Sequence, residues 1–180
     1  MVRTFQLTKS LAKMTVIDNM LLGAAEQKGE SLRNALLPSR WLKQENEILE
    51  KAEDLLERFK LSHMRDEYAA TLSGGQRKLL EMARALMSEP KLILLDEPMA
   101  GVNPVLVESL LVHIENLRDE GVSVLFIEHD MDAIMGISDW IVVLAEGQVI
   151  AEGTPSDVSK NPAVIDAYLG SAIAEELKDV

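Results

Sequence analysis

Two short stretches carry residue types whose spacing suits chemistry on a phosphate. Leu72-Ser73-Gly74-Gly75-Gln76 is a small, donor-rich turn that opens an apolar helix. Glycines let a backbone approach a ligand closely, the Ser73 hydroxyl adds a donor, and the first N–H groups of a helix favour an anion. Further along, the apolar run Leu92-Ile93-Leu94-Leu95 ends in two adjacent carboxylates, Asp96 and Glu97. In open α/β sheets, ligands lie outside the C-terminal ends of the strands. There Asp96 suits Mg2+, which prefers oxygen ligands, and Glu97 suits polarising a water as general base. His129 follows the next apolar run, in Ile127-Glu128-His129-Asp130, where an imidazole suits contact with a terminal phosphate. Each feature also has a plainer reading: an N-cap with a Gly-rich turn, a strand end surfacing in polar residues, a structural or exposed histidine. His63 and His113 lack such a context and receive no role, and Gln6 means little by itself.

Composition narrows the classes. The 180-residue chain is 47% apolar and 27% charged, which suits an ordinary globular domain with a sizeable core. Its formal net charge is −12, which argues against nucleic acid as a main partner, since neutralising phosphates needs a surplus of Lys and Arg. Without cysteine there is no disulfide framework, thiolate metal site or cysteine nucleophile. No apolar run approaches the roughly 18 residues of a membrane span, and the first residues lack the pattern of a signal peptide. Any membrane role is then expected to be peripheral.

The elements that must position these residues follow from pattern. Residues 1–6 read as a strand end with Gln6 at its exit, and Thr15 caps a short helix, answered by Asp18 in capping-box fashion. Residues 24–40 are polar and irregular, with Pro38 as a break. From Trp41 to Phe59 the residues Ile48, Ala52, Leu55, Leu56 and Phe59 share one helical face, and the charges read as a solvated face. A second helix runs from Gly75 to about Ser88, apolar enough to be largely buried. Strands then alternate with helices: Leu92–Leu95, a helix from Pro104 to Glu120 with Asn103 as N-cap, Val122–Ile127, a helix from Asp130 to Ile137, and Trp140–Ala145. Apolar strands separated by helices predict a parallel sheet covered on both faces. Glu146-Gly147 is a hairpin turn into Gln148–Ala151, and Thr154-Pro155 and Asn161-Pro162 start two short helices.

Taken jointly, the motifs resemble the ATP-binding subunits of ABC transporters over nearly the whole chain. Leu72–Gln76 matches the signature LSGGQ letter for letter, and Leu92–Glu97 matches the strand with the magnesium aspartate and catalytic glutamate. Gln6 falls at the Q-loop glutamine, His129 at the switch histidine, and Ala100–Asn103 at the D-loop, with Asn103 where aspartate is more usual. Arg3-Thr4-Phe5-Gln6, the long connection around 24–47, Asn103-Pro104, Glu128–Met131 and the ending Asn161-Pro162 to Gly170 are similar to the branched-chain amino acid uptake type.

The resemblance implies an α/β P-loop NTPase fold, with a mostly parallel sheet and an inserted helical lobe. It divides the chain into a partial ABC ATPase domain over 1–170 and a tail over 171–180. Within that domain the lobe spans about 10–90, the α/β core about 91–153 and the terminal helices about 154–170. It implies ATP and Mg2+ as ligands, with Asp96 and Gln6 at the metal, Glu97 activating water and His129 steadying the γ-phosphate. Ser73, Gly74, Gly75, Gln76 and Asn103 would contact ATP. The partners implied are membrane permease subunits and a second ABC ATPase subunit, the same or different, at the inner face of the cell membrane, with the transported substrate touched only by other subunits.

One part of the family's machinery does not occur in the sequence. A P-loop needs G-x-x-x-x-G-K-[ST], whose amides and lysine hold the phosphates, and none of the ten glycines precedes a lysine. The chain therefore reads as the C-terminal two thirds of an ABC ATPase subunit, expected neither to bind ATP tightly nor to hydrolyse it alone. By the same resemblance the sheet is expected to lack a strand beside Trp140–Ala145, exposing apolar surface and strand edges. A non-catalytic interaction module or half-site donor is the rival reading. A soluble ABC ATPase of translation or DNA repair is disfavoured by the single cassette and the acidic charge.

Overall fold

A computed structural model describes residues 2–3, 11–25, 27–30 and 41–167. The chain forms two compact units, Met1–Glu128 and His129–Val180. The first unit holds a three-stranded parallel sheet in the order β1 (Val2–Arg3), β2 (Leu92–Asp96), β3 (Ser123–Ile127). Val2 pairs with Ile93, and at the other end of β2 Asp96 pairs with Ile127. Gln6, the irregular connection over 31–40 with Pro38, and the ending from 168 onward lie outside the described residues.

Between the sheet strands the described chain is helical. Helix α1 (Val16–Leu21) starts at Thr15, whose hydroxyl accepts from the Asp18 N–H. The buried Asn19 carboxamide ties the entry to this helix, accepting from the Leu11 N–H at 2.9 Å and donating to the Thr15 carbonyl at 2.9 Å. Helix α2 (Leu42–Arg58) buries Ala52 and Leu56, one helical turn apart, and packs on α1 and on α3 (Gly74–Leu86). Fully burying side chains such as Leu56, Phe59 and Leu80 contributes about 1.5–3 kcal/mol each, which fixes these helices to one another.

The charged side of α2 is exposed at Glu45, Glu47 and Glu50, as the pattern predicts, but it is not merely solvated. Lys51 donates to the Met87 carbonyl beyond α3 and meets Glu89, and Arg65 pairs with Glu53. Arg58 Nη1 donates to Glu120 at 2.9 Å, while Nη2, also 2.9 Å from that carboxylate, is angled off a hydrogen bond and acts through charge alone. Helix α4 (Pro104–Asp119) begins at the Asn103 cap and buries Leu110, Ile114 and Leu117. His113 of this helix is buried as well, stacked on Phe59 with ring centroids 4.3 Å apart, and neither ring nitrogen has a hydrogen-bond partner.

The second unit contains α5 (Met131–Ile137), capped by Asp130, and a hairpin of β4 (Ile141–Ala145) and β5 (Gln148–Gly153) about Glu146-Gly147. Both turn residues have positive φ, 50° and 77°, the geometry that suits a tight hairpin. Helix α6 (Pro155–Val158) has a full capping box between Thr154 and Asp157, and residues 162–167 are helical. Ile141, Val143, Val158 and Val164 form this unit's core, with Met131 and Ile134 against it.

The parallel sheet departs from the expectation of two covered faces. Ile93 and Leu95 of β2 are buried, but β3 alternates, leaving Leu125 55% and Ile127 60% exposed. The strand over Trp140–Ala145 does not extend the parallel set; it pairs antiparallel with β5 and leaves Val142 and Leu144 exposed. Apolar composition shows that a strand prefers cover; which face receives it depends on which elements pack there.

Candidate functional site

The Ser73–Gln76 turn is closed upon itself. Ser73 is extended (φ −63°, ψ 165°), and its Oγ accepts from the Gln76 N–H at 3.3 Å while Gln76 Oε1 accepts from the Ser73 N–H at 2.9 Å. This reciprocal capping box holds the first turn of α3 without help from elsewhere. Arg77 adds a bond to the Leu72 carbonyl at 2.7 Å, and the Leu72 side chain is buried. The N–H groups of Gly74 and Gly75 have no carbonyl one turn back in the helix, so this end keeps anion-binding capacity.

The two glycines differ in purpose. A Cβ on Gly74 would meet nothing nearer than the Gly101 carbonyl at 4.0 Å, so this position is open. A Cβ on Gly75 would lie 2.5 Å from Leu106 Cδ1 and 3.3 Å from Val102 Cγ1. Gly75 is therefore small so that α3 can pack on the start of α4, whereas only Gly74 offers backbone to the outside. Asn103, in the neighbouring turn, accepts from the Leu106 N–H through Oδ1 at 3.0 Å and caps α4, a duty that aspartate performs equally well.

The Asp96–Glu97 turn is held from outside instead. Asp96 is the last residue of β2, half-buried beside a shallow hollow bordered by Lys78, Glu81, Pro98 and Leu110. Glu97 has φ +45°, a left-handed conformation that costs an L residue about 1–2 kcal/mol. Its N–H donates to the Ile127 carbonyl at 2.9 Å, and its carbonyl accepts from Lys78 Nζ at 2.6 Å. Two residues on, the Met99 N–H donates to Glu128 Oε1 at 2.7 Å. Burial lowers the Lys78 ammonium pKa below the usual lysine range, and the carboxylates of Glu128, Glu81 and Glu97 oppose that shift. Glu81 itself is buried, 6% exposed.

The structure thus brings Gly75 against Val102 and Leu106, and the helix behind Ser73–Gln76 against the turn of Glu97, all within the first unit. His129 opens the second unit, exposed, two residues after the Ile127 that pairs with Asp96. Lys78, Glu81 and Glu128 were not singled out by sequence. Their only mark is a cation and an anion at Lys78 and Glu81, three apart on a helix of otherwise apolar buried positions.

Among the described residues, no group of three or more His, Cys, Asp or Glu is placed to hold a metal. A single strand-end carboxylate such as Asp96 is nonetheless the donor that Mg2+ uses when it arrives with a nucleotide, since that ion keeps waters and phosphate oxygens as its other ligands. Among the described residues, no helix is long and apolar enough to cross a membrane.

Comparison with known proteins gives the family. A family model described as ABC transporter matches residues 2–100, and one described as branched-chain amino acid ATP-binding cassette transporter matches residues 148–174. A probable branched-chain amino acid transport ATP-binding protein LivG of Archaeoglobus fulgidus is 49% identical over 174 residues, spanning 97% of this chain and 67% of the relative. The high-affinity branched-chain amino acid transport ATP-binding protein LivG of Escherichia coli K12 is 41% identical, spanning 95% of this chain and 68% of the relative. The crystal structure of an ATP-binding cassette of an ABC transporter in its ADP conformation superposes with a TM-score of 0.74 at 43% identity, over 94% of this chain and 68% of that one. The chain spans about two thirds of the length of the relatives it matches. With the signature turn, the acidic strand end and these matches, the chain belongs to the ABC transporter family of ATP-binding cassettes, and its fold is that of a P-loop NTPase of this kind.

Proposed function

We propose that this chain is the signature-bearing portion of an ATPase subunit that powers an ABC importer for branched-chain amino acids. The observation that carries the reading is the self-capped Ser73–Gln76 turn packed in one body with the Glu97 turn. The names of the relatives supply the substrate class. In the working assembly two such subunits, identical or different, meet head to tail. The Ser73 hydroxyl and the N–H groups at the start of α3 then bind the terminal phosphate of ATP held by the opposing subunit. In a complete cassette Asp96 and Gln6 would hold Mg2+, which would supply neutralisation of phosphate charge. There Glu97 would take a proton from the attacking water, and His129 would steady the γ-phosphate. Asn103 keeps the adjoining turn in place through its cap on α4.

Closure of the pair would be passed to permease subunits through the region of Gln6 and the helices over 10–90, with the cassette peripheral on the cytoplasmic face. Those other subunits choose the substrate. Because the sequence holds no G-x-x-x-x-G-K-[ST], the 180-residue chain is expected to show no tight ATP binding and no hydrolysis alone. What it retains is the half-site it offers to an intact partner. Mixing the chain with the intact Archaeoglobus fulgidus relative tests this: ATP-dependent association is expected, and Ser73→Ala should weaken it. Association indifferent to ATP would sink the half-site reading. Magnesium-dependent phosphate release by the chain alone, abolished by Glu97→Gln, would sink the claim that it is inactive.

A further inference from the structure

Glu97 keeps a left-handed backbone that an L residue holds only when its surroundings over-determine it. Besides the turn's own bond from the Ala100 N–H to the Glu97 carbonyl, three bonds to other elements do so here: Glu97 N–H to the Ile127 carbonyl, Met99 N–H to Glu128 Oε1, and Lys78 Nζ to the Glu97 carbonyl. The first two come from the end of β3. The third comes from α3, two residues after Gln76. Lys78 is half-buried among carboxylates, a place where an apolar residue would fill space without donating a bond. Its ammonium reaches the Glu97 carbonyl at 2.6 Å, shorter than the bonds that the Ile127 carbonyl (2.9 Å) and the Ala100 N–H (3.2 Å) make with the Glu97 peptide groups.

We propose that Lys78 is a positioning residue that fastens the turn carrying Glu97 to the helix beginning at Ser73–Gln76, holding the two motifs at one spacing. Its consequence rests on the proposed function: Ser73–Gln76 serves the nucleotide of the opposing subunit and Glu97 the nucleotide of its own. Lys78 then ties the two nucleotide sites together through a single side chain within one subunit. Arginine at this position keeps charge and donors; methionine keeps bulk without them.

Residue-resolved amide hydrogen exchange on the whole 180-residue chain tests the tie. In Lys78→Met, exchange at the Glu97 and Met99 amides should quicken at least tenfold, while the amides of Leu56 in α2 and of Phe59 at its C-cap change less than threefold. Lys78→Arg should stay within threefold of the parent at all four amides. Lys78→Gln, which keeps polarity but is too short to span the gap, should behave as Lys78→Met and serves if the latter does not fold. Unchanged exchange at Glu97, an equal rise at all four amides, or an arginine variant as fast as the methionine variant would each overturn the proposal. In the mixture with the intact relative, Lys78→Met should weaken ATP-dependent association at least fivefold and Lys78→Arg should not. Local loosening with association unaltered would overturn the link between sites. The exchange experiment needs no nucleotide, so its failure is distinguishable from failure of the ATP-dependent reading.

Discussion

The two motifs that bracket α3 and β2 are built in opposite ways. The Ser73–Gln76 turn satisfies itself: four successive residues supply both halves of a capping box, and Gly74 faces open space. The Asp96–Glu97 turn is held by groups far away in sequence, at Lys78, Ile127 and Glu128, and carries backbone strain at Glu97. A self-contained turn can be offered to a partner as a unit. A strained turn held from outside records the state of the elements that hold it, which suits the general-base role proposed for Glu97, since such a role depends on correct placement.

Two glycine substitutions test the self-contained half most severely. Gly75→Ala should destabilise the chain by about 1–3 kcal/mol, because the new methyl overlaps Leu106 and crowds Val102. Gly74→Ala should stay within about 0.5 kcal/mol of the parent. Urea midpoints measure both, and equal losses would mean the turn is not divided into an open and a packed glycine. A smaller pair of effects should have opposite sign. Ser73→Ala removes the cap and should cost about 1 kcal/mol. Glu97→Gly releases the left-handed strain and, after the extra entropy of glycine, should stabilise by about 0.5 kcal/mol. If Glu97→Gly destabilises instead, the turn is not strained in the sense described.

The same contrast explains what could be read from sequence. Caps are local: Thr15, Ser73, Asn103, Asp130 and Thr154 each bond a backbone N–H three residues on, so short patterns locate the helix starts. The Glu146-Gly147 hairpin is local in the same way. Lys78 was unreadable because its acceptor lies nineteen residues further on and on a different element. The exposed side of β3 was unreadable because Leu125 and Ile127 have the same composition whether covered or bare. The letters proposed to hold metal and to catalyse are legible only through their order along the chain, since a strand-end carboxylate or a lone histidine is commonplace.

His113 receives no role from its place in the sequence, yet it is buried against Phe59, where its protonation is linked to folding. Burial, then the charges of Arg58 and Lys60, lower its pKa below the usual 6.5. Above that value neither the folded nor the unfolded chain holds the proton, and the group contributes nothing to pH dependence. As pH falls below it, the unfolded chain takes up a proton that the folded chain resists, so folding weakens until the lowered pKa is reached. Replacing the imidazole by an apolar ring removes this uptake. The urea midpoint of the parent should therefore fall further than that of His113→Phe between about pH 7.5 and 5.5. Parallel pH slopes for the two would show that the buried ring takes no part. Two nitrogens without hydrogen-bond partners, stacked on Phe59, are thus expected to loosen the packing of α4 on the end of α2 as the medium turns acid.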